Sequence, residues 1–379
     1  MRFAGRMGRL GTETAFEVLA RAKELEAHGR SICHLEIGAP DFDTPGFIVE
    51  AAKQALDAGY TKYGAAAGDP ELRQAIAEHV ASTRGVRVSA DEVVVVPGAK
   101  PILFFALLAL VEEGDEVLVP DPGFPIYASV VALAGGTPVP YRLDPKKGFD
   151  IDRSTLRRAR GGIFNTPHNP TGGAIDADAW EAIAGLGLEW VMSDEVYSEI
   201  VYGIEHRSAL SVPALRDKTI LVDGFSKTWS MTGWRLGYGV MPVDLAQRVT
   251  QLQINCTSCA ATFSQRAALA ALRGPRHPIK EMVESFRRRR DLIVSGLNAL
   301  PGVACAEPRG AFYVFPDVSA LGDEGDLATA LLEDAGVACV AGTSFGEAGR
   351  GFLRFAFAAS NETISDALSR FGDLLARRG

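Results

Sequence analysis

The sequence predicts an α/β protein in which a large domain, built on a mainly parallel sheet, is joined to a smaller α+β domain. A chain of 379 residues is longer than one hydrophobic core usually serves, so two domains are expected. From about residue 90 short apolar stretches alternate with helical ones, and from about residue 275 this alternation ends. Hydrophobic residues make up 47% of the chain and charged residues 23%, which is typical of a globular protein.

Short apolar stretches predict the strands of the large sheet, at residues 93–96, 116–119, 162–164, 190–193 and 220–222. Helical patterns separate most of these stretches, at residues 102–111, 123–134 and 178–187. Continuously apolar strands between helices indicate a sheet that is covered on both faces, and such sheets are mainly parallel.

The remaining elements define the two domains. Residues 13–28 have the apolar spacing of an amphipathic helix that ends at Gly29, and Asp69 and Pro70 are typical of the start of another helix. After about residue 275 the pattern predicts helices at 278–299, 326–335 and 362–376, with strands near 303–306, 311–315 and 352–357. We therefore expect a large domain at 46–277 and a small domain formed by 1–45 and 278–379.

Composition argues against a nucleic-acid partner and against a disulfide framework. The net charge is −8, and the one basic cluster, residues 287–290, lies in a helical pattern that favours a solvated face or a set of ion pairs. The five cysteines are odd in number and widely spaced, which favours a reducing compartment, and Cys256 and Cys259 lack the further ligands of a zinc site. Since no apolar stretch suits a leader or a membrane span, we expect a cytoplasmic protein without a membrane partner or a metal.

Three segments place polar residues directly after predicted strands, where α/β folds bind ligands. The turn at Gly98 opens a helix whose free N–H groups suit a phosphate, and residues 165–173 form a loop stiffened by two prolines. Asp194 follows a buried strand, with Tyr197 three residues on, and a carboxylate there can hold a positive charge. Taken alone, each segment is equally typical of a structural turn, a tight loop or a helix cap.

Lys227 lies in a fourth segment of this kind, after a buried strand and among small hydroxyl residues. A partly buried lysine has a lowered pKa and becomes a usable amine nucleophile. Ser226 and Arg235 suit a phosphate, because a guanidinium binds phosphate oxygens through paired hydrogen bonds. The four segments together, each at a strand end, indicate an active site.

With these motifs the chain resembles the class I/II aminotransferases, which belong to the fold-type I family of pyridoxal 5′-phosphate (PLP) enzymes, over essentially its whole length. The resemblance rests on LEIGAPDFDTP at 35–45, YG at 63–64, DPGFPIY at 121–127, NPTG at 169–172, DEVY at 194–197, SK at 226–227, GWR at 233–235 and Arg354. It implies a seven-stranded, mainly parallel sheet and a homodimer with shared active sites. It also implies ping-pong transfer of an amino group between an α-amino acid and a 2-oxo acid.

The resemblance assigns roles around the cofactor ring. Lys227 would hold PLP as a Schiff base and then act as the general acid–base at the substrate. Asp194 would pair with the pyridine nitrogen and keep it protonated, which makes the ring an electron sink. Tyr197 and Asn169 would hydrogen-bond the phenolic oxygen, and Phe124 would stack on the ring.

The resemblance also assigns the phosphate and substrate contacts. The phosphate would be held by Ser226, by Arg235 and by backbone N–H groups around Gly98, Ala99 and Lys100, and Tyr63 would reach it from the other subunit. Arg354 would clamp the α-carboxylate of the substrate through a fork of hydrogen bonds, with Asn169 beside it. Gly38 would lie close to the bound substrate, where a side chain would intrude.

Some positions allow two interpretations. Ala39 and Cys259 replace residues that are common in the family, so the substrate's side chain or the dimer interface differs there. Lys100 either neutralises the distal carboxylate of aspartate or glutamate, as in some members, or is an ordinary exposed lysine at a helix start. Phe16 is favoured as the packing anchor of its helix over a residue that folds across the active site.

Two other enzyme classes are alternatives. A PLP-dependent β/γ-lyase on the same fold would use the same lysine, aspartate and arginine, because a fold does not fix a reaction. A nicotinamide-dependent dehydrogenase is disfavoured, since it needs a G-x-G-x-x-G turn after its first strand and no predicted strand is followed by one.

Overall fold

The computed structural model describes residues 1–378, and within that range the chain forms thirteen β-strands and eleven α-helices. The strands are β1 Cys33–His34, β2 Val93–Val96, β3 Glu116–Asp121, β4 Thr137–Asp144, β5 Asp150–Ile151, β6 Gly161–Asn165, β7 Trp190–Asp194, β8 Thr219–Gly224, β9 Gly237–Val240, β10 Tyr313–Val314, β11 Val337–Ala338, β12 Val340–Ala341 and β13 Leu353–Ala356. The helices are α1 Thr14–Ala27, α2 Gly46–Asp57, α3 Pro70–Arg84, α4 Lys100–Leu110, α5 Ile126–Ala134, α6 Ala177–Ala184, α7 Val243–Cys256, α8 Thr262–Arg273, α9 His277–Asn298, α10 Glu324–Ala330 and α11 Asn361–Arg378.

The central sheet has eight strands in the order β2-β9-β8-β7-β6-β3-β4-β5. Strands β4, β3, β6, β7 and β8 run parallel to one another, whereas β9 is antiparallel to β2 and β8, and β5 is antiparallel to β4. The predicted mainly parallel α/β sheet is therefore confirmed. The predicted count of seven strands for this sheet is one too few, because the two-residue strand β5 extends the sheet beyond β4.

Helices cover both faces of this sheet, as the apolar strands predict. Strands β2, β6, β7 and β8 are buried along their whole length. One face packs against α4, α5 and α7, with Ile102, Val130 and Val249 in a common core. The other face packs against α2, α3 and α8 near β2 and against α6 near β6, where Trp180 is buried. Because helices cover both faces of these strands, the strands are open only at their ends. The loops that follow their carboxyl ends meet at one edge of the sheet, and the candidate site lies at that edge.

A second core is formed by the C-terminal elements. Strands β10, β13 and β12 form a three-stranded sheet and β1 pairs with β11. Helices α9 and α11 pack on them, with Phe286 and Phe371 in the same core as Phe312, which directly precedes β10. Where a strand was predicted at 303–306, the chain forms only one isolated bridge, between Ala304 and Asp317. The domain boundaries at residues 46 and 277 remain a prediction.

The segment before α1 lies on the large sheet's helices. The Gly11 amide donates to Ser129 Oγ on α5 at 2.8 Å, while α1 itself packs through Ala22 and Leu25 against Leu332 and Ala338. The start of α1 is therefore held over the carboxyl edge of the central sheet, between the two cores.

The basic cluster on α9 forms ion pairs, as one interpretation of the sequence predicts. Arg287 and Arg288 pair with Glu284, and the Arg289 guanidinium contacts Asp41 at 2.7 Å. All five cysteines are free thiols. Among the helices of residues 1–378, none combines the length and the hydropathy needed to cross a bilayer.

Candidate active site

A cavity of about 500 Å³ opens at the carboxyl ends of β6, β7 and β8. It brings together most of the predicted site residues, namely Gly38, Ala99, Lys100, Phe124, Asn169, Asp194, Tyr197, Ser226, Lys227, Arg235 and Arg354. Their convergence follows from topology, because parallel strands end at the same edge and the loops after them meet there.

Lys227 lies three residues after β8 with its side chain in the cavity. Its ammonium donates to the Gly38 carbonyl and lies 5.8 Å from the ring centroids of Tyr197 and Phe312. Burial, together with the nearby charges of Lys100 and Arg354, lowers the pKa of Lys227 from 10.5 to about 8. A substantial fraction of this amine is therefore neutral, and so nucleophilic, near physiological pH.

Asp194 is the last residue of β7 and its carboxylate is buried. It accepts a hydrogen bond of 2.6 Å from the Tyr127 hydroxyl and one of 3.3 Å from the Val196 amide. Burial raises the pKa of Asp194 to about 6, and the Tyr127 hydrogen bond opposes this rise. Since both partners are neutral, a ligand that presents a cationic N–H to this carboxylate would stabilise its charge.

The neighbouring acids are held by a different group. Arg84 is buried and pairs with Glu195 at 3.1 Å and with Asp223 at 2.9 Å. Arg84 thereby forms ion pairs with both carboxylates beside Asp194, and Asp194 alone of the three lines the cavity.

The turn between β2 and α4 provides an anion site. Gly98 has φ of +79°, and a side chain there would collide with the Arg235 guanidinium. Arg235 donates to the Thr232 carbonyl at 2.8 Å and lines the cavity with Ser226. A guanidinium, a hydroxyl and the open start of α4 therefore converge, which suits a phosphate.

Arg354 lies on β13 at the opposite wall and is only 4% exposed. Its guanidinium donates to Asn169 Oδ1 at 3.3 Å and to the Glu36 carbonyl, and it lies between the rings of Tyr313 and Phe345 at 4.8 and 4.9 Å. Its Nε is buried and has no partner among the described residues. A rigid, partly unsatisfied guanidinium of this kind suits a carboxylate.

Two tyrosines in the cavity were missed by the sequence-based site prediction. Tyr127 binds Asp194, and the Tyr313 and Tyr197 hydroxyls are hydrogen-bonded at 2.8 Å. Any side chain at Gly38 would collide with the Tyr313 hydroxyl, so Gly38 is required by this wall. Tyr127 belongs to the DPGFPIY stretch and could have been inferred from it, whereas nothing local in the sequence distinguishes Tyr313.

Other positions correct or refine the predictions. Phe16 lines the cavity and is 58% exposed, so its favoured interpretation as a packing anchor is wrong; the start of α1 lies over the cavity instead of inside a core. Tyr63 is 89% exposed and lies outside its own chain's cavity. Ala39 lines the cavity, whereas Cys259 lies beside the Tyr63 segment, where its sulfur accepts from the Gly64 amide at 3.4 Å.

Comparison with known proteins identifies relatives over nearly the whole chain. The family model for aminotransferase class I and II matches residues 30–371. An aspartate aminotransferase of Rhizobium meliloti is 37% identical, covering 97% of this chain and 94% of that protein, and an aspartate/prephenate aminotransferase of Cereibacter sphaeroides is 39% identical with 96% of each covered. The solved structure of aspartate aminotransferase from Thermus thermophilus with maleate superposes with a TM-score of 0.94 at 37% identity, covering 99% of this chain and 100% of that one.

Proposed function

The chain belongs to the class I and II aminotransferase family and is a transaminase of amino acids and 2-oxo acids, and from this premise we propose that it works with PLP held by Lys227. The observation that carries the proposal is a half-buried lysine of lowered pKa in the same cavity as Asp194 and Arg354.

The residues present fit PLP at each end of the cofactor. Asp194 is buried with neutral partners only, which suits a protonated pyridine nitrogen. Arg235, Ser226 and the turn at Gly98 suit the phosphate, and the ring of Phe124 lines the cavity between the two ends. We propose these residues, with Asn169, Tyr197 and the backbone amides of Ala99 and Lys100, as the cofactor site.

The reaction divides among the residues of this chain. When bound, PLP supplies a ring that accepts the electrons released as the substrate's Cα loses its proton. Lys227 Nζ would carry that proton from the substrate's Cα to the cofactor, since a pKa of about 8 lets the amine both accept and donate a proton. Asp194 would hold the positive charge of the protonated ring nitrogen, and Tyr197, whose hydroxyl is fixed by Tyr313, would hydrogen-bond the cofactor's phenolic oxygen. Arg354 orients the substrate through its α-carboxylate.

We also propose a homodimer in which Tyr63 completes the cavity of the second copy. In its own chain Tyr63 is 89% exposed, so its hydroxyl is free to reach the cavity of a second copy. The change Tyr63→Phe should lower PLP affinity in a protein that sediments as a dimer. A protein that sediments as a monomer would contradict this part of the proposal. So would a Tyr63→Phe variant whose PLP affinity is unchanged.

A half-reaction screen tests the function. The PLP-loaded protein is mixed with single amino acids while the cofactor's visible absorbance is followed, and a 2-oxo acid is then added. We expect loss of the band with the amino acid and recovery with the 2-oxo acid, as a ping-pong transaminase requires. A band that recovers without any acceptor, while ammonia accumulates, would show a lyase instead.

A further inference from the structure

Lys100 forms an ion pair with Glu13 at the mouth of the cavity. Both residues line the cavity, and the Lys100 ammonium also lies 5.3 Å from the ring centroid of Phe124. The Glu13 side chain is 19% exposed and that of Lys100 is 46% exposed. The Lys100 ammonium is therefore already paired with a carboxylate at the cavity mouth, where a substrate's side chain would approach it.

The positions of the two residues in the fold favour the pair. Glu13 directly precedes α1, and Lys100 is the first residue of α4. The start of a helix carries partial positive charge, which favours the carboxylate and disfavours the ammonium. The Gly11 contact to Ser129 fixes the segment that carries Glu13, so the pair does not depend on a free chain end.

The remaining charged side chains of the cavity have tasks in the proposed function. Asp194, Lys227 and Arg235 serve the cofactor, and Arg354 serves the α-carboxylate. What is left for the substrate's side chain is the Glu13–Lys100 pair, whose charges cancel. The cavity lining also includes the apolar side chains of Ala15, Phe16, Ile37 and Leu103.

We propose that Glu13 is a specificity-determining residue, which neutralises Lys100 and makes this enzyme prefer α-amino acids with neutral, apolar side chains over dicarboxylic ones. The inference rests on the proposed function. A dicarboxylic substrate would place its second carboxylate beside Glu13 and compete with it for Lys100, and such like-charge contacts are a common means of rejection. An apolar side chain would instead cover the exposed ring of Phe16.

The test compares the wild type, Glu13→Gln and Glu17→Gln. Glu17 lies one turn along α1, is exposed and does not line the cavity, so its variant controls for the change in net charge. Single-turnover half-reactions with leucine and with aspartate give the ratio of their second-order rate constants. Calorimetric binding of succinate and of 4-methylpentanoate to each PLP-loaded protein gives the same preference without turnover.

We expect the wild type to favour leucine and 4-methylpentanoate. In Glu13→Gln the ratio of the aspartate rate constant to the leucine rate constant should rise about twofold to fivefold, the size expected for a partly exposed charge pair, and succinate should gain affinity in the same direction. Glu17→Gln should match the wild type.

Two results would overturn the inference while leaving the proposed function intact. The first is a wild type that converts aspartate faster than leucine and binds succinate more tightly than 4-methylpentanoate. The second is a preference that is the same in Glu13→Gln and Glu17→Gln. If no amino acid changes the cofactor's absorbance in any of the three proteins, the proposed function fails and the inference fails with it.

Discussion

The amine of Lys227 should react like a base of pKa about 8 in the PLP-free protein, and this can be tested by changing the pH. At pH 7 a group with that pKa is roughly 9% neutral, whereas an ordinary lysine of pKa 10.5 is roughly 0.03% neutral, a difference of about 300-fold. Between pH 7 and pH 9 the neutral fraction rises about tenfold for the first group and about a hundredfold for the second.

Competitive acetylation with isotope-coded acetic anhydride, followed by mass spectrometry of the peptides, measures this for each lysine separately. We expect acetylation of Lys227 to rise about tenfold from pH 7 to pH 9 and then to level off. After burial, the charge of Lys100 is the largest cause of the lowered pKa of Lys227. Lys100→Met should therefore move the midpoint of Lys227 acetylation to higher pH. The exposed residue Lys147 is a control, and Lys147→Met should leave the midpoint where it is.

The reasoning fails if Lys227 acetylation still rises about a hundredfold over this interval. That result would mean that water reaches the amine and removes the effect of burial. A midpoint that does not respond to Lys100→Met would show that burial alone sets the pKa.

Three substitutions test the remaining contacts. In Asp194→Asn the PLP-free protein should be more stable by up to about 3 kcal/mol at pH 7.5 in urea unfolding, because the folded pKa of about 6 lies above 3.8 and the ionised form is penalised. This gain should be full above pH 6 and vanish towards pH 4, and turnover should be lost; a less stable variant at pH 7.5 would contradict the account. Arg354→Lys should raise the dissociation constant of amino acids roughly tenfold to a hundredfold, since the buried fork is lost, and an unchanged constant would exclude Arg354 as the carboxylate ligand. Gly98→Ala should weaken PLP binding at least about tenfold by displacing Arg235, whereas Gly85→Ala, at a similar φ of +66° with open space around it, should not; equal PLP affinity in both variants would contradict the phosphate site.

Much of the fold could be predicted because the buried strands are continuous apolar runs. The strand at 93–96 coincides with β2, and the Asp69 carboxylate caps α3 by accepting from the Glu71 amide, as its position before Pro70 predicts. Strand β4 was missed because its buried and exposed residues alternate and two prolines interrupt it. Strand β9 was missed because glycines occupy half of it, and its pairing depends on distant neighbours.

Some residues of the candidate site could likewise be predicted from the sequence, and others could not. Residues at or shortly after strand ends, such as Asp194 and Lys227, could be predicted because the strand end fixes their place. The contacts of Tyr313 and Glu13 join parts of the chain that lie far apart in sequence, and only the packing of the two cores brings them to the cavity. Phe16 was misjudged for this reason, since an amphipathic pattern does not reveal that a helix begins over an open cavity.

The most direct test of the account is to identify the residue that holds the cofactor. The purified protein is saturated with PLP, reduced with borohydride and digested, and the pyridoxyl-bearing peptide is sequenced by mass spectrometry beside the Lys227→Ala variant. We predict that the adduct lies on Lys227, and that the variant has neither the visible absorbance band nor transaminase turnover. An adduct on another lysine, or a variant that keeps its band and its turnover, would contradict the account.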